Sequence, residues 1–147
     1  VDYQVGSLGR VIVARGFEGE DVYAEIEGIA AKEGIRSGAV FMVGGLRSGK
    51  VVVGPKDPGD ISDPIVREFD DAREITGMGT LFCDGDQPKL HLHGAIGRGD
   101  ETLAGCPRGG ATIFCLLEVV IIEIDGIDAT RALDPELGIK VLQLLNT

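Results

Sequence analysis

Leu90-His91-Leu92-His93-Gly94 reads as a β-strand with two unlike faces. Side chains two apart on a strand project to the same side. His91 and His93 therefore stand beside one another, while Leu90 and Leu92 turn the other way, into a core. These are the chain's only two histidines. Neutral imidazole is a common metal ligand, and a third soft donor, Cys106, follows in Leu103-Ala104-Gly105-Cys106-Pro107. Flanking Gly and Pro fix a tight backbone turn there. Two imidazoles and a thiolate suit a Zn²⁺ ion whose fourth position stays open to water or substrate. Cys83, on the preceding strand, is a rival third ligand. Cys115, inside an apolar run, reads as a core residue.

Outward from this strand the chain is a series of short β segments. Arg10 to Arg15 is a first strand, rich in β-branched residues. Glu20 and Asp21 open the one clear amphipathic helix, with Val22, Ile26, Ile29 and Ala30 on one face and Gly34 as its cap. Gly28 inside that helix predicts close packing against a sheet. Ala39 to Val43 and Val51 to Val53 read as two strands joined by a glycine-rich bend or hairpin. That link lacks the Gly-Lys-Ser/Thr ending of a phosphate loop. Residues 54–64 form an exposed loop whose Asp57, Asp60 and Asp63 lack Ca²⁺-loop spacing. Ile65 to Phe69 is a short edge strand and Ile75 to Cys83 a longer one. The histidine strand spans Lys89 to Ile96. Residues 97–110 read as a long connection carrying Cys106, and Ala111 to Ile124 as the longest strand. Thr130 to Leu133 and Ile139 to Leu145 close the chain. One good helix among many strands predicts an α+β fold with a mainly antiparallel sheet, and 147 residues suit a single domain over 1–147.

Composition narrows the function classes. Net charge is −10, which disfavours passive binding to DNA or an anionic membrane because phosphate neutralisation needs a basic face. No apolar run is long enough to span a bilayer. Val1 to Arg10 lacks the basic-then-apolar pattern of a leader, although the chain starts at Val1 rather than Met. Three cysteines without a Cys-x-x-Cys pair do not make a disulfide framework and suit a reducing, cytoplasmic setting.

Glu118 interrupts the apolar run Cys115 to Ile122. A carboxylate there is costly to bury unpaired. It points to solvent, pairs with an arginine, orients a ligand histidine, or takes a proton from metal-bound water as a general base. Arg98 and Arg108 flank the Cys106 segment and could bind a substrate carboxylate. No Ser-His-Asp or Cys-His nucleophile set is present.

The sequence resembles the PPC domain, the plants and prokaryotes conserved domain also found after AT-hooks in plant nuclear proteins. The resemblance starts at Arg10-Val11-Ile12-Val13 and passes Val43-Gly44-Gly45-Leu46. It is sharpest from Leu90-His91-Leu92-His93 through Leu103-Ala104-Gly105-Cys106 to Glu118-Val119-Val120. The family pattern has a His-x-His, a Gly-Gly-His and then a strand with a Glu. His91, His93 and Glu118 match it, and Cys106 stands where the third histidine is expected. Cysteine is a competent zinc ligand, so the departure preserves the site's logic. The resemblance implies an antiparallel α+β domain that assembles as a homotrimer. Its fold is similar to that of α-acetolactate decarboxylase, an analogy that transfers no activity.

Three functions compete. The first is a metal-dependent enzyme, a hydrolase or lyase on a small oxygenated substrate, with Glu118 as its acid–base residue. The second is a DNA-binding or regulatory module, as in PPC relatives; the chain has no Arg-Gly-Arg-Pro AT-hook core. The third is a closed, purely structural metal site stabilising a trimer.

Overall fold

The computed structural model describes residues 1–146. Its elements run β1 (Ser7–Phe17), α1 (Val22–Glu33), β2 (Ser37–Asp57), β3 (Asp60–Phe69), β4 (Arg73–Asp84), β5 (Gln87–Arg98), β6 (Glu101–Pro107), β7 (Thr112–Asp125), β8 (Ala129–Leu133) and β9 (Lys140–Leu144). The strands pair antiparallel in the order β1-β7-β2-β4-β5-β6, with β3 on the far half of β2 and β8–β9 as a separate hairpin. The fold is α+β, mostly antiparallel sheet with one helix, as the residue pattern predicts. None of the described helices is long and apolar enough to cross a membrane.

One face of the sheet is covered by α1. Asp21 caps the helix by accepting a hydrogen bond from Ala24 N, and Gly34 ends it in the left-handed conformation at φ 70°. Val22, Ile26 and Ala30 are buried in one core cluster with Leu92, Ile96, Leu117 and Ile121. Period-two alternation along β5 is strict: Leu90 and Leu92 are buried, His91 and His93 exposed. Gly28 differs from expectation. It is exposed, and a Cβ there would meet nothing within 4 Å. With no packing reason for glycine, Gly28→Ala is expected to stabilise the protein by about 1 kcal/mol through helix propensity, read as a higher midpoint in urea unfolding.

Three segments read as loops are strand: residues 54–64, which apart from the turn at 58–59 end β2 and begin β3 as an exposed hairpin, and the following two. The glycine-rich link of residues 44–50 is not a hairpin; it lies inside β2, which runs unbroken from Ser37 to Asp57. Gly44 permits this because β7 bulges against it. Gly44 pairs with Leu117 and Gly45 with Phe114, leaving Cys115 and Leu116 as extra residues on β7. A Cβ on Gly44 would lie 2.4 Å from the Leu116 carbonyl oxygen. Cys115 sits in this bulge at φ 62° and is exposed, so it is not a core residue. The third segment is the connection carrying Cys106, most of which forms β6 and pairs with β5 from Arg98↔Glu101 to Gly94↔Gly105. The sheet closes on itself at this point, because β6 also pairs with β2 through Val51↔Pro107 and Val52↔Cys106.

Arg10 ties β1 to β7 and to the end of α1. Its Nε and Nη2 donate to the Glu123 carboxylate at 2.7 and 2.9 Å, and Nη2 also donates to the Glu33 carbonyl oxygen at 2.8 Å. The hydrogen bonds and charge of Arg10 hold the Glu123 pKa down at about 2. A depressed carboxylate contributes stability that is present above its unfolded pKa, near 4.3, and lost as pH falls toward the folded value. Glu123→Gln is therefore expected to flatten the loss of thermal stability between about pH 4.5 and about pH 2, checked by melting temperature against pH.

Candidate metal centre

β5 supplies the two imidazoles and β6 the thiol. The His91 and His93 rings stand edge to face with centroids 5.0 Å apart. The β5–β6 ladder ends at Gly94↔Gly105, so one further step sets Cys106 beside His93. The β6–β2 pairing holds Cys106 opposite Val52. One potential ligand atom from each of His91, His93 and Cys106 lies within 4.8 Å of the others. Gly105 makes the approach feasible, since a Cβ at that residue would lie 2.1 Å from the Val52 carbonyl oxygen.

Electrostatics around the cluster have identifiable causes. His91 is exposed by surface area but partly desolvated by the atoms around its ring; that desolvation, with the nearby charges of Arg131, His93 and Arg108, lowers its pKa and favours the neutral, ligand-competent imidazole. Burial raises the Cys106 pKa, while Arg108 pulls it down. The Cys106 thiol contacts the Pro107 carbonyl oxygen, which also accepts from the Tyr23 hydroxyl.

The cluster lines an open cleft of about 710 Å³. Its walls come from β2, β5 and β6, and its roof from the β8–β9 hairpin, which brings Arg131, Ile139 and Lys140 to it. Thr130 Oγ1 donates to the Cys83 carbonyl oxygen at 2.9 Å, and Arg131 Nη2 donates to Thr80 Oγ1 at 3.1 Å, fastening this hairpin to β4. Sequence reasoning named Arg108 but not Arg131 or Lys140, which nothing in local sequence links to the histidines.

The other nominated residues fall elsewhere. Cys83 is buried and lies outside the ligand cluster; on β4 it alternates with Thr80, the residue facing His91. Glu118 is exposed and lines a separate apolar recess with Val13, Arg15, Phe41 and Val43. It shares the histidines' side of the sheet, but along the ladder Glu118↔Val43↔Thr76↔Ala95 it is three strands from β5. At the usual strand spacing that is about 14 Å. Arg98 is bonded to Asp71 at 3.5 Å and does not line the cleft.

Comparisons with known proteins place the fold. A metal-containing protein from Archaeoglobus fulgidus superposes with a TM-score of 0.85 at 21% identity, over 97% of this chain and 99% of the other. A plant- and prokaryote-conserved (PPC) protein from Pyrococcus horikoshii gives 0.85 at 21% identity over 100% of both chains. A protein from Bacteroides thetaiotaomicron, named as a candidate DNA-binding protein, gives 0.79 at 20% identity over 96% of this chain and 99% of the other. No curated protein sequence matches significantly. The model of the Plants and Prokaryotes Conserved (PCC) domain matches residues 3–125, reaching from β1 through the cluster to the end of β7, and the chain belongs to that family.

Proposed function

We propose that His91, His93 and Cys106 hold a single divalent metal ion, zinc by donor chemistry, and that the chain is a PCC-type metalloprotein working on a small oxygenated molecule. The carrying observation is the convergence of the three donors within 4.8 Å on the wall of an open cleft. The donor set fits the ion: two imidazoles and a thiolate are a three-ligand set with room for an exogenous fourth. The name of the A. fulgidus neighbour is consistent with it. The chemistry such an ion supplies at an open position is polarisation of a carbonyl or activation of water. This chain's own residues position the imidazoles by strand alternation and favour the neutral form of His91. They also place the thiol through the β6–β2 pairing.

Homotrimer formation belongs to the same reading. Val13, Phe41, Val43, Met78 and Leu116 are exposed on the sheet, with Met78 paired to His93, an apolar area of the kind that marks an interaction surface. Within one chain Glu118 is too far to act on the cluster. It serves there as a general base only if a neighbouring copy brings it across.

The test is cobalt substitution. A Co²⁺-loaded protein is expected to show a thiolate-to-metal charge-transfer band that disappears in Cys106→Ser. A loaded protein without that band would remove Cys106 from the ligand set. The names of structural neighbours favour DNA binding as a second reading. With a net charge of −10, no salt-dependent retention of duplex DNA at physiological ionic strength is expected; saturable, salt-sensitive binding would favour that reading instead.

A further inference from the structure

We propose that Arg108 and Arg131 form a carboxylate clamp in the metal cleft, so that its ligand is a small organic carboxylate. This rests on the metal-centre reading above and adds the ligand's charge and class to it.

The first observation is the sign of the lining. The chain carries a net charge of −10, yet among the described residues no aspartate or glutamate lines this cleft, whereas Arg108, Arg131 and Lys140 do. The second is pairing. Arg98, which does not line the cleft, is matched by Asp71, and Lys140, which does, by Asp84. Among the described residues, Arg108 and Arg131 have no carboxylate partner within salt-bridge distance.

The third observation is the state of Arg131. It is half-buried, and its Nε is a buried nitrogen with no hydrogen-bond partner. Only Nη2 is engaged, by the neutral Thr80 hydroxyl. An unsatisfied buried donor on a cation is costly, and burial holds this guanidinium below its usual pKa. A planar carboxylate bonds to a guanidinium fork in bidentate fashion. It would satisfy the donor and supply the missing negative charge together.

The rest of the lining decides between carboxylate and bare phosphate. Val52, Ile139 and Val141 give the cleft an apolar wall, which suits a short hydrocarbon attached to the anion and gives nothing to an inorganic oxyanion. Arg131 belongs to the β8–β9 hairpin, beyond the matched family span of residues 3–125. The clamp is therefore built partly from a segment that the family match does not cover.

Calorimetric titration of the zinc-loaded 147-residue chain tests this, using short-chain carboxylates (glycolate and pyruvate among them), their neutral amides and inorganic phosphate. Saturable carboxylate binding is expected, with the amides about tenfold weaker or worse. Arg131→Gln and Arg108→Gln are each expected to weaken carboxylate binding by a similar factor while zinc content stays at the wild-type level. Equal binding of carboxylates and amides, or no carboxylate binding to zinc-replete protein, overturns the clamp and leaves the metal centre standing. So does unchanged affinity in both variants. Tighter binding of inorganic phosphate than of every carboxylate overturns the assignment of ligand class. If the wild-type chain takes up no zinc, the metal reading fails by itself. The same titration on metal-free protein then decides the clamp: arginine-dependent discrimination of carboxylate from amide supports it, and its absence overturns it.

Discussion

Gly105→Ala is expected to open the sheet at the proposed metal centre. A Cβ on residue 105 would come within 2.1 Å of the Val52 carbonyl oxygen and 3.0 Å of its carbonyl carbon. Both are backbone atoms of a paired strand, so neither can rotate away. β6 has to lift from β2, breaking the pairs Val51↔Pro107 and Val52↔Cys106. Overpacking of a closed interior costs about 1–3 kcal/mol, and a backbone obstacle puts this case at the upper end. Cys106 is the next residue, so the same displacement carries its thiol away from the imidazoles. Loss of melting temperature together with loss of zinc affinity is the expected outcome. Gly109→Ala, where an added Cβ meets nothing within 4 Å, should change neither.

Cys106→Ala is expected to lower zinc affinity by more than about 100-fold, beyond the 10- to 100-fold typical of losing a residue that only orients a ligand. The change removes one of three donors. Competition against a chromophoric chelator measures it, and circular dichroism checks that the sheet is intact. Cys106→His is expected to keep zinc bound, because the family pattern to which this chain conforms at His91 and His93 carries histidine at that point. If Cys106→Ala binds zinc like the wild type, the thiol is not a ligand.

Much of the site was legible because it rests on local periodicity. Alternation along Leu90 to His93 gave the strand, its buried face and the pairing of the imidazoles without tertiary information. The acids that open the helix and the capping Gly34 are likewise local signals. What local patterns missed depends on strands distant in sequence. Gly44 and Gly45 look like a turn but accept a bulge on β7, which comes some seventy residues later. The same bulge exposes Cys115, which an apolar run had suggested was buried. Residues 101–107 have too much glycine and too few β-branched residues to read as a strand, yet they become one between β5 and β2. Glu118 was grouped with the histidines by family pattern. The order of strands separates them within a chain, and no one-dimensional spacing carries that order. Arg131 was invisible for the reverse reason: a hairpin some forty residues downstream folds back over the cleft.

The central claim, that two imidazoles and a thiol form one metal centre, is tested most directly by elemental analysis of untagged protein, loaded with zinc and dialysed free of excess. About one zinc per chain is expected, with the same measurement on a His91→Ala, His93→Ala double variant falling to background. A wild-type chain that retains no zinc or other divalent metal after loading would contradict the account and leave His91 and His93 as ordinary surface residues of β5.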